Sequence, residues 1–200
     1  TSGKRNVTRH ANIFAILFDI ADKQKQEKIL KNVLENDEIP AITTPYFNFF
    51  ELDVLCQMGK LTEVLDKIRS YWGGMLDLGA VTFWEEYDPS VPKEEQYDMY
   101  GDHFGKSLCH AWAASPIYFL AKYFAGLDLV NKDGVTYVLK PQMQYFTDLD
   151  CILPVGSDGT VRLAWDGECL EVIADAEGGV LELGEEKISL VRGETRRVKI

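Results

Sequence analysis

The chain of 200 residues carries 32 Asp and Glu against 21 Lys and Arg, a formal net charge of -11, and 46% of its residues are hydrophobic. That apolar share supports a packed core and excludes a disordered chain. The acidity excludes nucleic acid and anionic membranes as partners, because both need clustered cations, and the only basic run is Arg196, Arg197 and Lys199 in a strand-like tail.

The sequence begins Thr1-Ser2-Gly3 without an initiating Met, which reads as a piece of a longer protein. It shows no signal peptide and no bilayer-length apolar stretch. Residues 9–21 are heavily apolar through Ile13, Phe14, Ile16, Leu17, Phe18 and Ile20. In residues 24–36, Ile29, Leu30, Val33 and Leu34 form one stripe against Lys and Glu, the mark of an amphipathic helix. Pro40 and Pro45 punctuate the next joint. Helical spacing returns over residues 46–58, which Gly59 stops, and over residues 61–72. Ser107 is placed to cap a last helix running through Trp112 to Gly126. Short joints between helices predict a series of αα-hairpins.

From about residue 130 the period becomes two. Strands are predicted over residues 135–139, 160–165, 169–175, 179–183, 187–192 and 195–200, with Asp158-Gly159 and Asp166-Gly167 as hairpin turns. Short, evenly spaced strands suggest a small antiparallel β-sandwich. Helices first and strands afterwards point to two domains, residues 1–130 and 131–200, with the boundary near Asn131-Lys132-Asp133-Gly134.

The cysteines, Cys56, Cys109, Cys151 and Cys169, form no CxxC pair and read as reduced. No Walker loop, GxGxxG, GxSxG or HExxH is present, so no cofactor is expected. Glu94, Glu95, Asp98, Asp102 and His103 could hold a cation, but their spacing fits no standard calcium loop, and a solvated insertion is the simpler reading.

Chemistry concentrates in residues 79–89, where Phe83, Trp84 and Tyr87 alternate with Glu85, Glu86 and Asp88. Sugar sites use this combination. Aromatic faces cover the apolar side of a pyranose, and carboxylates bind hydroxyls or move protons. The alternative is a loop with surface acids and a Trp anchored in the core. His110, in Ser107-Leu108-Cys109-His110-Ala111-Trp112, could reach a ligand from the first turn of the last helix, or be a capped or core histidine. Tyr46, Phe47 and Phe49 could line a pocket or be core, and Glu51 could be a buried polar anchor.

The segments Trp72 to Met75, Gly79 to Glu85 and Ser107 to Trp112, followed by Pro116, resemble the last third of the catalytic helical barrel of bacterial α-L-rhamnosidases. Residues 134–200 resemble the β-sandwich that follows it. The resemblance implies a partial (α/α)6 barrel and hydrolysis of terminal α-L-rhamnosides with inversion. It implies Glu85 as the base that activates water, with Glu86 the second choice. His110 is then a sugar contact, Trp84 a pocket wall or a neighbour orienting Glu85, and Trp72 part of the same substrate site, with no metal. The general acid of that family lies on earlier barrel segments, and nothing in residues 1–40 matches it. The chain alone is therefore expected to be inactive, with the remainder of the barrel and a rhamnose-containing glycoside or polysaccharide as its partners. The resemblance leaves the compartment of the bacterial parent open among periplasm, exterior and cytoplasm. Residues 90–102 are longer than the usual loop of the family. Competing readings are a non-catalytic carbohydrate-binding or interaction module on the same fold, and a helical toroid that cleaves another sugar.

Overall fold

The computed structural model describes residues 6–132, 135–157 and 159–200. Asp133 and Gly134 of the expected boundary and Asp158 of one expected turn lie outside these residues. Helices come first and two four-stranded sheets follow. The chain divides into two compact units, Thr1–Ser115 and Pro116–Ile200. None of the described helices is long and apolar enough to cross a membrane.

In the first unit the helical periods become α1 (Arg9–Leu17), α2 (Lys23–Ile29), α3 (Pro45–Gln57) and α4 (Leu61–Lys67), and α5 (Gly73–Asp77) follows beyond the expected stretches. Local chemistry sets their ends. The Asp22 carboxylate accepts from the Lys25 N–H at 2.9 Å and caps α2. Pro45 occupies the first turn of α3, where its missing N–H costs nothing. Gly59 then takes the left-handed conformation that stops the helix. Wide turns of π geometry extend α2 over Leu30–Leu34 and join α4 to α5 over Ile68–Trp72.

Helix α1 packs on α3, and α3 packs on α4. Ile13, Leu52, Val54 and Val64 are fully buried in these helices, each stabilising by roughly 1.5–3 kcal/mol. A buried polar knot ties them together. Glu51 on α3 accepts from Arg9 Nη1 at 3.2 Å and Lys67 Nζ at 3.0 Å. Arg9 also donates to the carbonyl of Leu34 at 2.7 Å.

The last helix departs from expectation. Residues 107–110 are not helical, and α6 begins at Ser115 (Ser115–Phe119), followed by a π turn over Leu120–Phe124. Pro116 explains the start, since proline fits only the first turn of a helix. The amides of Ser107 and His110 have partners elsewhere, as shown below.

The second unit contains β1 (Leu127–Lys132), β2 (Val135–Leu139), β3 (Leu149–Val155), β4 (Gly159–Trp165), β5 (Cys169–Asp175), β6 (Gly179–Leu183), β7 (Glu186–Leu190) and β8 (Thr195–Lys199). One sheet has the order β1-β2-β6-β7 and the other β3-β4-β5-β8. Alternation does the sorting, with Val161, Leu163, Leu170 and Val172 facing one core that Tyr137, Leu139, Leu181 and Leu190 of the other sheet share. The expectation of a wholly antiparallel fold is corrected at one place, because β2 pairs with β6 in parallel. The chain builds β3 to β5 in the second sheet before returning, and a crossover of that length permits a parallel neighbour. Gly126 takes a left-handed conformation against the Lys140 backbone, where a Cβ would lie 2.7 Å from the Lys140 nitrogen. No other residue type fits there.

Candidate active site

Two segments outside helix and strand, residues 82–85 and 107–110, lie side by side. The Glu85 N–H donates to the Ser107 carbonyl at 2.9 Å, and the His110 N–H donates to the Phe83 carbonyl at 2.8 Å. The Thr82 hydroxyl donates to the Leu108 carbonyl. These bonds occupy backbone groups that a helix from Ser107 would need. They also bring the acidic-aromatic motif and the histidine motif together across more than twenty residues of chain. His110 itself is extended, with φ -124° and ψ 110°.

The Glu85 carboxylate sits at the centre of this arrangement and is 8% exposed. Its Oε2 accepts from the Ser107 N–H at 3.1 Å. The same oxygen lies 3.9 Å from His110 Nδ1, beyond hydrogen-bond range but close enough for electrostatic attraction when the ring is protonated. Its Oε1 accepts from the Tyr100 hydroxyl at 3.4 Å. A carboxylate oriented by a backbone amide, and shielded from most of the solvent, is suited to take a proton from a bound water.

Glu86 points elsewhere, accepting the Thr43 hydroxyl at 2.7 Å. Tyr71 donates to the Thr43 carbonyl and accepts from the Tyr87 N–H at 3.2 Å. Burial pushes the Tyr71 phenol well above its ordinary range. Residues 86 and 87 are thus fastened to the loop before α3. Trp84 is 3% exposed and its ring meets Tyr97 edge-on at 5.6 Å. Trp72 is 5% exposed, and its indole N–H donates to the Ala113 carbonyl at 2.8 Å. Trp84 is thus a buried member of the first segment, and Trp72 anchors the turn that follows His110.

The open side is aromatic. The His110 ring lies 4.1 Å from Trp112, which lies 5.4 Å from Tyr46, and both of these larger rings are exposed. Tyr46 continues into Phe47 and Phe50 on α3.

Two neighbours of Glu85 were not anticipated from the sequence. Lys106 is almost wholly buried, and burial lowers its ammonium below the usual range against the pull of Glu86, Asp88, Asp98 and Glu85. Its place next to Ser107 was the available signal. Tyr100 comes from the insertion, where the Tyr-Gly pair at residues 100 and 101 was a turn signal. In the same insertion His103 Nδ1 pairs with Asp98 Oδ1 at 2.6 Å. Among the described residues no three His, Cys, Asp or Glu side chains gather as a metal-binding group. Cys56, Cys109, Cys151 and Cys169 form no disulfide among the described residues.

No protein-family model and no curated protein matches the sequence. Solved structures do. A GH78 family rhamnosidase of Bacillus sp. GL1 superposes with a TM-score of 0.70 at 22% identity, over 91% of this chain and 19% of its own length. A rhamnosidase from Klebsiella oxytoca with rhamnose bound matches at 33% identity and a TM-score of 0.54, over 62% of this chain and 23% of its own. The chain therefore spans a small part of each. By sequence motif and by structure, it is similar to a segment of the rhamnosidases, which are glycoside hydrolases.

Proposed function

We propose that these residues are the C-terminal part of an inverting α-L-rhamnosidase. Residues 1–130 then belong to the end of an (α/α)6 catalytic barrel, and residues 131–200 to the β-sandwich after it. The observation that carries the reading is the Glu85 carboxylate, held on the Ser107 amide with His110 beside it. In the proposed reaction a carboxylic acid on an earlier segment protonates the glycosidic oxygen. Glu85 takes a proton from water on the opposite face of the sugar, and that water attacks the anomeric carbon. The two carboxyls stand about 6.5–9.5 Å apart to admit it. His110 binds a sugar hydroxyl. Trp84, Trp72 and Glu86 shape the substrate site from behind, through the contacts described above.

This segment supplies the base side only, so alone it does not turn over substrate. In the full-length enzyme, Glu85→Gln lowers kcat on nitrophenyl α-L-rhamnoside by about 10²–10⁴-fold, and NMR of the first product formed reports the inverted anomer. Turnover by the 200-residue chain that vanishes in Glu85→Gln overturns the half-site reading. A panel of other nitrophenyl glycosides tests the sugar.

A second reading, a carbohydrate-binding module without catalysis, draws on the exposed Trp112 and Tyr46 rings beside His110. It predicts rhamnoside binding by the full-length protein with no turnover in wild type.

A further inference from the structure

Residues 88–107 form a built loop. Buried Gln96 donates to the carbonyls of Asp88 at 2.6 Å and Val91 at 2.8 Å, closing its base. Tyr97 packs on Trp84, and the Lys106 N–H donates to the Tyr97 carbonyl at 3.1 Å. At the tip, Met99 and Asp102 exchange two backbone hydrogen bonds of 2.9 Å around Tyr100 and Gly101. Both central residues have positive φ, 54° and 82°. This is the geometry of a two-residue turn that favours Asn or Gly at its first position.

Tyrosine there is costly. A bulky residue in the left-handed region is strained, and such strain persists only where the surrounding structure over-determines it. The side chain gains little from burial in return, since Tyr100 is 86% exposed. Its hydroxyl nevertheless ends at Glu85 Oε1, the oxygen that the Ser107 amide leaves open. The cost in stability and the contact with the carboxylate meet in one residue.

We infer that Tyr100 is a positioning residue for Glu85, held over the carboxylate by the strained hairpin tip of the insertion. The inference rests on Glu85 being the base. With Oε2 fixed by the Ser107 amide, the Tyr100 hydroxyl fixes the rotation of the carboxylate about its last bond. The lone pair that must face the attacking water is thereby aimed before substrate arrives. The step is purely orienting, and no proton leaves the tyrosine.

The test uses Tyr100→Phe, which removes only the hydroxyl, and Tyr100→Asn, which also relieves the turn. In the full-length enzyme, Tyr100→Phe lowers kcat about five- to tenfold, the worth of one hydrogen bond, with KM within twofold. Tyr100→Asn lowers kcat at least as much while its unfolding midpoint rises or holds. A merely structural role predicts that stability and activity fall together. In a Glu85→Gln background the Tyr100→Phe change adds nothing further, because the two groups act as one unit. Unchanged kcat in Tyr100→Phe, with Glu85→Gln inactive, overturns this inference and leaves the proposed function standing. A wild-type enzyme inactive on every glycoside of the panel overturns both.

Discussion

Replacing Trp72 by Phe separates support of the site from contact with sugar. The indole N–H is the partner of the Ala113 carbonyl at 2.8 Å, and Ala113 is fully buried. Phenylalanine leaves that carbonyl without its donor, at a cost of about 1–3 kcal/mol. It also leaves a void of about half an indole in a region only 5% exposed at Trp72, which adds about 1 kcal/mol at the slope known for cavities. The expected loss is therefore about 2–4 kcal/mol. Urea unfolding followed by far-UV circular dichroism measures it without relying on the deleted fluorophore. Residues 111–113 directly follow His110, so, on the proposed function, the loosened turn also weakens rhamnose binding by the full-length protein, to a smaller degree. A loss below about 0.5 kcal/mol, together with sugar binding weakened more than tenfold, refutes the reasoning. Trp72 would then be touching sugar rather than holding the segment that does.

Arg9→Met strips the buried Glu51 carboxylate of one of its two cations and frees the Leu34 carbonyl. It costs about 3–5 kcal/mol in the same urea assay, and Arg9→Met with Glu51→Met together costs less than Arg9→Met alone. The alkaline limb of stability has two opposed parts. Lys106 is lowered by burial, so the unfolded chain holds that proton longer, and stability rises with pH from the lowered value up to the ordinary 10.5. Tyr71 is raised by burial from 10.0, so stability is lost as pH climbs from 10.0 through the folded value. Urea midpoints from pH 8 upward show the rise abolished in Lys106→Met and the fall abolished in Tyr71→Phe.

Periodicity made most of the fold legible, because burial on one face leaves its mark on the chain. The stripe of Ile29, Leu30, Val33 and Leu34 marked the end of α2 and the π turn that extends it, and the alternation around Val161 and Leu163 gave β4. Two strands were not among those expected. β1 exposes Leu129 and Val130, so its apolar residues do not alternate with polar ones as a buried face requires. β3 contains Asp150 and Pro154, and it lies at the edge of its sheet, the position where proline is tolerated. The helix expected from Ser107 failed for a tertiary reason. Its sequence permits a cap, yet the amides of Ser107 and His110 bond to Glu85 and Phe83 across the site. No local rule reads a partner that lies more than twenty residues away.

The same distinction governs the site. Glu85 and His110 were visible because carboxylate beside tryptophan, and histidine after serine, are chemical patterns within a few residues. Tyr100 and Lys106 were not, because their importance comes from where the loop returns. The sequence around Tyr100 predicts only a turn, and a turn is normally the place for small residues without a task. The structure reverses that expectation by spending a strained tyrosine on the free oxygen of Glu85. If Glu85 is the base, as proposed, the loop that carries Tyr100 becomes part of how that base is held rather than an ornament on the surface.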